Sequence, residues 1–402
     1  MATRGPILII GGGIAGLYAR ALFASRGHHV VLAERSALGD GQTIASQGIL
    51  HRGVKYALSR KAAKAADSLE LSLAAWDDHF AGRGCVDLRD LPVVSSRMHL
   101  WTRPGSEGSS LGSALGSMMG SLTGMAASLA MKSGVRRLSR AEFPASLASS
   151  PASVNAWEVE ERCIDVRALL STLRDVESGP IIAGGEEGVA ALAARVGAAA
   201  VVLAAGVGNE PLLTGLGLDA SSMCQRRPLH MVVMRHAPFD LNGHCLQELS
   251  DKPRLTITTS RSGGDRVWYI GGDIAERGVP LDEASQVRAT IAEIEACLGW
   301  ADLRHATWST LRIDRAEGRR EDGSRPDGPV CRRLHGGRCG LPAWAIWPTK
   351  LALAPALAAS LVSEVESSGV AVASRSAPTS TLAFPVAAFP WDVPASPPPA
   401  VR

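Results

Sequence analysis

Unbroken apolar runs and helical periodicity alternate at the start of the chain. Ile7–Ile10 is four apolar residues in succession, the pattern of a strand covered on both faces of a parallel sheet. The spacing predicts a helix over 14–26 that Gly27 stops, then a second apolar strand over 29–33 that ends at Glu34. Over 60–81, Leu69, Leu73, Trp76 and Phe80 follow one helical face. Residues 157–173 read as a short strand, Asp165 as an N-cap, and a helix. A helix over 188–195 precedes the run AAAVVLAA at 198–205, closed by Gly206 and Gly208. From 229 to 272 the pattern changes to the alternation of LHMVVMRH, PRLTITTS and RVWYIGG, which suits an antiparallel sheet in a separate domain. A helix over 282–298 presents Val287, Ile291, Ile294 and Leu298 on one side, and 344–365 returns to an apolar strand, turn and helix. Beyond 372 the Ser-, Pro- and Ala-rich tail reads as irregular or disordered.

The first strand and helix are joined by Gly11, Gly13 and Gly16, spaced G-x-G-x-x-G. Gly11 permits the tight turn, Gly13 lets a pyrophosphate approach the backbone, and Gly16 lets helix and strand pack closely. Ile14 and Ala15 open a helix whose free N–H groups suit phosphate. Glu34, eighteen residues past Gly16, is placed to accept the hydroxyls of an adenosine ribose. A chain with 42 Gly forms such turns by chance, but strand, helix, second strand and acid all fall in order here. The unit reads as a dinucleotide site. The motif itself does not separate NAD from FAD.

At 402 residues two domains are the default. A net charge of +3 with 20% charged residues, and no basic run interleaved with aromatics, argues for a small-molecule substrate and no nucleic acid. The first strand begins too close to Met1 for a signal peptide, so a cytoplasmic protein is expected. Seven cysteines without a C-x-x-C pair read as reduced thiols, and His230 and His244 lack metal-ligand spacing, so no metal site is expected. Residues 111–131 carry no charge and repeat Gly at 112, 116, 120 and 124. Thirteen of these 21 are Gly, Ser, Thr or Ala, thin for a membrane span. A loop or a closely packed helix is the main reading, and peripheral membrane contact the lesser one.

Separated nucleotide-domain segments with β-rich sequence between them resemble the D-amino-acid oxidase superfamily of FAD-dependent oxidoreductases. Residues 7–34, VVLAAGVGNEPLL at 201–213 and WPTKLALAP at 347–355 carry the likeness. It implies an α/β fold: a discontinuous Rossmann-like FAD-binding domain with an inserted, mainly antiparallel β substrate domain. The expected segments are 1–80, 151–225 and 306–372 for FAD, 81–150 and 226–305 for substrate, and 373–402 as tail. Within the superfamily, TIASQGILHRGVKY at 43–56 is similar to the matching segment of FAD-linked glycerol-3-phosphate dehydrogenases and 2-hydroxyglutarate oxidoreductases, with Arg52 in place of the first Gly of H-G-G.

On that resemblance His51 lies near the reactive face of the flavin. An imidazole there can take the hydroxyl proton while hydride leaves the same carbon for flavin N5; a packed histidine that positions or tethers FAD is the equal alternative. Thr43 and Ser46 suit pyrophosphate or flavin contacts, or serve the turn. Arg35, Gly48 and Gly206 join the expected cofactor contacts. Lys55 is a candidate anion ligand or a surface lysine. Thr349 and Lys350 fall under the flavin pyrimidine, where a helix N-terminus and an ammonium stabilise the charge of reduction; Pro355 makes that helix start late or kink. Among Arg312, Arg315, Arg319 and Arg320, the first two are the candidates to fork onto a substrate carboxylate or phosphate. Tyr269 reads as a core residue before a cavity residue.

The expected activity is hydride transfer from a CH–OH carbon of a small polar or anionic substrate, with oxygen, quinone or a carrier protein as acceptor. The alternatives are an amine or amino-acid oxidase of the same fold, for which no base is needed, and a flavin-binding scaffold without turnover. A disulfide reductase would want a second dinucleotide fingerprint and a close cysteine pair.

Overall fold

The structure, a computed structural model, describes residues 4–52, 63–105, 134–185, 187–247, 252–320, 326, 328–374 and 384–392. Lys55 and the uncharged stretch 111–131 lie outside the described residues. No described helix is long and apolar enough to cross a membrane.

Among the described residues, six strands form one sheet in the order Val330–Leu334, Ala343–Trp347, Ala200–Leu203, Ile7–Ile10, Val30–Glu34, Ile181–Ala183. Ile7 pairs in parallel with Ala200 on one side and Val30 on the other. Only the edge strand Val330–Leu334 runs antiparallel. The uninterrupted apolar run has a direct cause: Ile7 and Ile9 join the core beneath helices Ile14–Ser25 and Ala354–Ser367, whereas Leu8 faces Val189, Leu192 and Leu213 on the other side. Both faces are covered, so neither parity can be polar. Helix Ala63–Phe80 latches onto the start of Ala354–Ser367, with Trp76 Nε1 donating to Ala352 O at 3.0 Å and Ser72 Oγ accepting from Ala356 N at 3.1 Å.

Eight strands form a second sheet: Thr307–Gly318, Cys224–Arg235, Asp265–Gly271, Leu255–Ser262, Gly243–Cys245, Met98–Trp101, Ala156–Val159, Arg136–Arg137. All neighbours are antiparallel except Gly243–Cys245 with Met98–Trp101. Strands Ala156–Val159 and Thr307–Gly318 belong here, although sequence reading assigns 151–225 and 306–372 to the cofactor segments. The second of these pairs residue for residue with Cys224–Arg235, from Cys224 opposite Gly318 to Arg235 opposite Thr307; a long partner strand outweighs its charged composition. A small antiparallel sheet of Ile49–Leu50, Arg162–Ile164 and Val93–Ser95 lies where the site loops meet.

Expected elements recur at Ile14–Ser25, with Gly27 at φ 83°, and at Val166–Asp175, where Asp165 caps Ala168 N at 2.9 Å. The described tail residues 384–392 form no helix or named strand, yet they pack on the body: Phe389 and Trp391 are buried and stacked at 4.6 Å, Trp391 meets Tyr269 at 5.2 Å, and Ala387 N donates to Leu38 O. Three aromatics among residues 384–391 anchor it, and its Pro and Ala content masks them.

Arg20, 1% exposed, points from helix Ile14–Ser25 into the loop after Asp175. It donates to the carbonyls of Leu173, Arg174, Val176 and Gly179. Burial pushes its guanidinium down to about 10. Arg20→Met is expected to strand several of these acceptors and cost about 3 kcal/mol or more. The check is a lowered urea midpoint at unchanged slope.

Candidate active site

The carboxyl ends of Ile7–Ile10, Val30–Glu34, Ala200–Leu203 and Ala343–Trp347 open onto one cavity of about 1430 Å³. Open parallel sheets hold ligands at that edge, where the strand order reverses. The volume exceeds the roughly 300–1,000 Å³ of ordinary small-molecule pockets. An extended ligand and a second molecule fit together.

Gly11, Gly13, Ile14, Ala15, Glu34, Arg35, Thr43, Ser46, Gly48, Gly206, Thr349, Lys350, His51 and Arg315 all line this cavity. Gly11 has φ 115°, and a Cβ there would lie 2.6 Å from Ala205 Cα. A Cβ on Gly16 would lie 1.9 Å from Gly11 O, so the absence of a side chain sets the strand-to-helix approach. At Gly13 a Cβ would meet only Thr43 Oγ1, at 3.1 Å, leaving the backbone open to the cavity. Gly206, at φ 59°, has nothing around its missing Cβ within 4 Å among the described residues. Asn209 ties that turn to the neighbouring strand, accepting from Ala205 N at 2.8 Å and donating to Ile346 O at 3.3 Å.

Glu34 is held at its root by the backbone. Oε2 accepts from Gly12 N at 2.6 Å, and Oε1 from Arg35 N at 2.6 Å and Ser36 N at 3.0 Å. Thr43 Oγ1 accepts from Ile14 N at 3.1 Å, taking one first-turn amide of the helix, and Gly48 has φ 67°. Ser46 Oγ is buried without a partner among the described residues. Such an orphan on a cavity wall, with the open glycine backbones, fits a polar ligand running past the helix.

At the opposite wall Thr349 has φ 58°, unusual for a β-branched residue, and Thr349 Oγ1 donates to Pro348 O at 2.6 Å. Lys350 precedes a 3₁₀ turn, Leu351–Leu353, and the α-helix begins only at Ala354 with Pro355 in its first turn. The late start expected from Pro355 is what is seen.

The two arginines separate. On strand Thr307–Gly318 side chains alternate between faces, so Ile313 and Arg315 turn to the cavity while Arg312 turns away. The exposed Arg312 donates to Val279 O at 2.8 Å and to Leu281 O. Arg312, expected beside the substrate, thus lies off the cavity wall, since residues three apart on a strand do not share a face. Arg319 donates to Ser221 O at 2.8 Å, and exposed Arg320 lines the cavity. Arg315 Nη2 lies 3.2 Å from Glu276 Oε1, which also accepts from Arg227 at 3.1 Å; Lys252 reaches Oε2. Burial first, then repulsion from Arg227, lowers the Arg315 guanidinium. Burial alone would raise the Glu276 carboxyl, but Lys252, Arg315 and Arg227 hold it below its usual range. Tyr269 is a core residue, fully buried, donating to Ala45 O at 2.9 Å.

His51 Nδ1 lies 3.1 Å from Glu161 Oε2, and its ring stacks on His244 at 6.1 Å. Donor atoms of His51, Glu161 and His244 all lie within 4.8 Å of one another. Neither Glu161 nor His244 is marked by spacing, because one reaches His51 from the turn after Ala156–Val159 and the other from strand Gly243–Cys245. Glu161 sits in the turn between Ala156–Val159 and Arg162–Ile164, so no strand alternation marks it, and its burial follows only from the fold.

Residues 6–342 match the family model described as FAD dependent oxidoreductase, DAO. The chain belongs to this family. A probable FAD-dependent oxidoreductase of Pseudomonas aeruginosa is 36% identical over 405 residues, covering 98% of each chain. The crystal structure of an FAD-dependent oxidoreductase from that organism superposes with TM-score 0.72 at 31% identity, over 98% of this chain and 99% of the other. Glycine oxidase from Geobacillus kaustophilus shares the fold, with TM-score 0.60 at 17% identity over 90% and 95% of the two chains. The protein is thus an FAD-dependent oxidoreductase of the DAO family, and the cofactor class is FAD. The relatives named here lend no support to the glycerol-3-phosphate or 2-hydroxyglutarate subtype.

Proposed function

We propose that this DAO-family enzyme oxidises a small anionic substrate at a CH–OH carbon, of the 2-hydroxy acid or glycerol 3-phosphate type. The observation that carries the reading is an imidazole on the cavity wall, His51, backed by the buried carboxylate of Glu161. An alcohol needs a base as hydride leaves, whereas a neutral amine does not. FAD, when bound, supplies the two-electron oxidant. Gly11, Gly13, Ile14 and Ala15 would hold its pyrophosphate, Glu34 and Arg35 its adenosine half, and Thr43, Ser46, Gly48, Gly206, Thr349 and Lys350 the remainder. The six-stranded sheet then serves as a discontinuous Rossmann-like cofactor domain and the eight-stranded sheet as the inserted substrate domain.

In this reading Arg315 receives the anionic group of the substrate. The Glu276 carboxylate keeps it oriented and is itself balanced by Arg227 and Lys252. Arg315→Met is expected to raise KM about 10- to 150-fold, the worth of one hydrogen-bonded charge, with kcat little changed. Arg312→Met, on the opposite face, is the control that leaves KM within about twofold.

The test is the visible spectrum of the purified holoenzyme, followed anaerobically as 2-hydroxy acids, glycerol 3-phosphate and amino acids are added in turn. Bleaching by a hydroxy compound supports the reading. Bleaching by amino acids alone, or by none of these, overturns it.

A further inference from the structure

We propose that Glu161 is a positioning residue that fixes the tautomer of His51, so that Nε2 is the nitrogen able to accept a proton. The proposal rests on His51 serving as the base.

Glu161 occupies the turn between strands Ala156–Val159 and Arg162–Ile164, where its N–H donates to Val159 O at 2.8 Å. Its side chain is 4% exposed. Oε1 accepts from the backbone N–H of Arg52 at 3.0 Å. A backbone N–H can only donate, so the group at this position of residue 161 must present an acceptor oxygen to it. Oε2 faces His51 Nδ1 at 3.1 Å. An ionised carboxylate only accepts, so the hydrogen of the neutral imidazole sits on Nδ1 and its acceptor lone pair on Nε2.

The guanidiniums of Arg52 and Arg162, which flank the dyad in sequence, both reach Asp77, at 2.5 and 3.2 Å. His244 covers one ring face at 6.1 Å with an interplanar angle of 24°, and its Nδ1 pairs with Thr256 Oγ1 at 2.8 Å. During turnover the substrate O–H bond breaks, its proton forms a bond to Nε2, and its electron pair stays on oxygen. The imidazolium formed keeps its Nδ1–H on Glu161, which stabilises the new charge.

Glu161→Gln reverses the logic with little change of shape. The amide oxygen still accepts from Arg52 N–H, so its NH₂ is the group turned toward Nδ1. A donor there drives the hydrogen to Nε2 and leaves His51 unable to accept. A substitution that imposes the wrong tautomer on a catalytic histidine costs about 10⁴ in kcat in a serine protease.

The experiment records ¹⁵N spectra of FAD-loaded, imidazole-labelled protein at about pH 8.5, where an ordinary imidazole is neutral. The His51 signals among the ten histidines are assigned by their loss in His51→Gln. The expected result is an Nδ1–H tautomer in the wild type and in Glu161→Asp, and an Nε2–H tautomer in Glu161→Gln. Flavin reduction by whichever hydroxy compound bleaches the wild type should fall about 10²–10⁴-fold in Glu161→Gln at unchanged substrate affinity, and recover to within about tenfold in Glu161→Asp. An Nε2–H tautomer in the wild type overturns the proposal, as does an unchanged tautomer in Glu161→Gln. If Glu161→Gln does not fold, the wild-type and Glu161→Asp spectra still decide it. A flipped tautomer with an undiminished reduction rate spares the positioning role and removes His51 as base.

Discussion

Replacing His51 with glutamine is expected to leave FAD bound and to slow its reduction about 10²–10⁴-fold at saturating substrate, the usual worth of a positioned general base. Glutamine is chosen because its amide can still donate to Glu161, whose carboxylate would otherwise be buried without the partner seen at 3.1 Å. The fold and the FAD spectrum should therefore survive, and only proton acceptance is lost. Anaerobic stopped-flow reduction of the bound flavin measures the step directly, apart from substrate binding and from whichever acceptor reoxidises the enzyme. A near-normal rate would return His51 to the packed, cofactor-positioning role that the sequence left equally open. A loss of FAD, with little change in the rate for the fraction still loaded, would point the same way.

What could be read from the chain follows the range of the interactions concerned. The glycine fingerprint was legible because its residues act on each other within a few positions. The positive φ at Gly11 and the 1.9 Å gap at Gly16 are local geometry. Strand alternation placed Leu255–Ser262 and Asp265–Gly271 without help from elsewhere. The same alternation, applied to Thr307–Gly318, would have separated Arg312 from Arg315, had that charge-rich segment been recognised as a strand. Glu161 meets His51 across 110 residues of sequence, and His244 reaches them from the other sheet. No spacing rule connects three side chains brought together by sheet packing. The packed tail segment was hidden for a related reason: proline and alanine make up 14 of residues 373–402, while three aromatics within 384–391 decide where it goes.

Gly16→Ala tests whether the approach of helix to strand holds the cofactor, and two effects oppose each other. In the first turn of helix Ile14–Ser25, alanine favours the helix over glycine by at most about 1 kcal/mol, the value of a helix interior. The added methyl would sit 1.9 Å from Gly11 O and 3.3 Å from Ile9 Cγ2. Gly11 O belongs to backbone that is already fixed by Gly11 N donating to Ala33 O at 2.9 Å, so the strain cannot be relieved by turning a side chain. The helix must move away by more than an ångström, at a cost typical of overpacking, about 1–3 kcal/mol. The clash outweighs the propensity gain. That displacement falls at the helix N-terminus beside Gly13 and Thr43, where the pyrophosphate is proposed to lie. FAD affinity should drop by about 10²-fold or more, since hydrogen-bonding geometry at charged groups is worth about 1.5–3 kcal/mol per contact. Equilibrium binding of FAD to the apoprotein, read by quenching of flavin fluorescence, gives the affinity, and urea unfolding of the same apoprotein gives the stability. A large fall in affinity with only a small loss of stability is the expected pair of results. Unchanged affinity would mean that FAD is held elsewhere than at the first glycine turn.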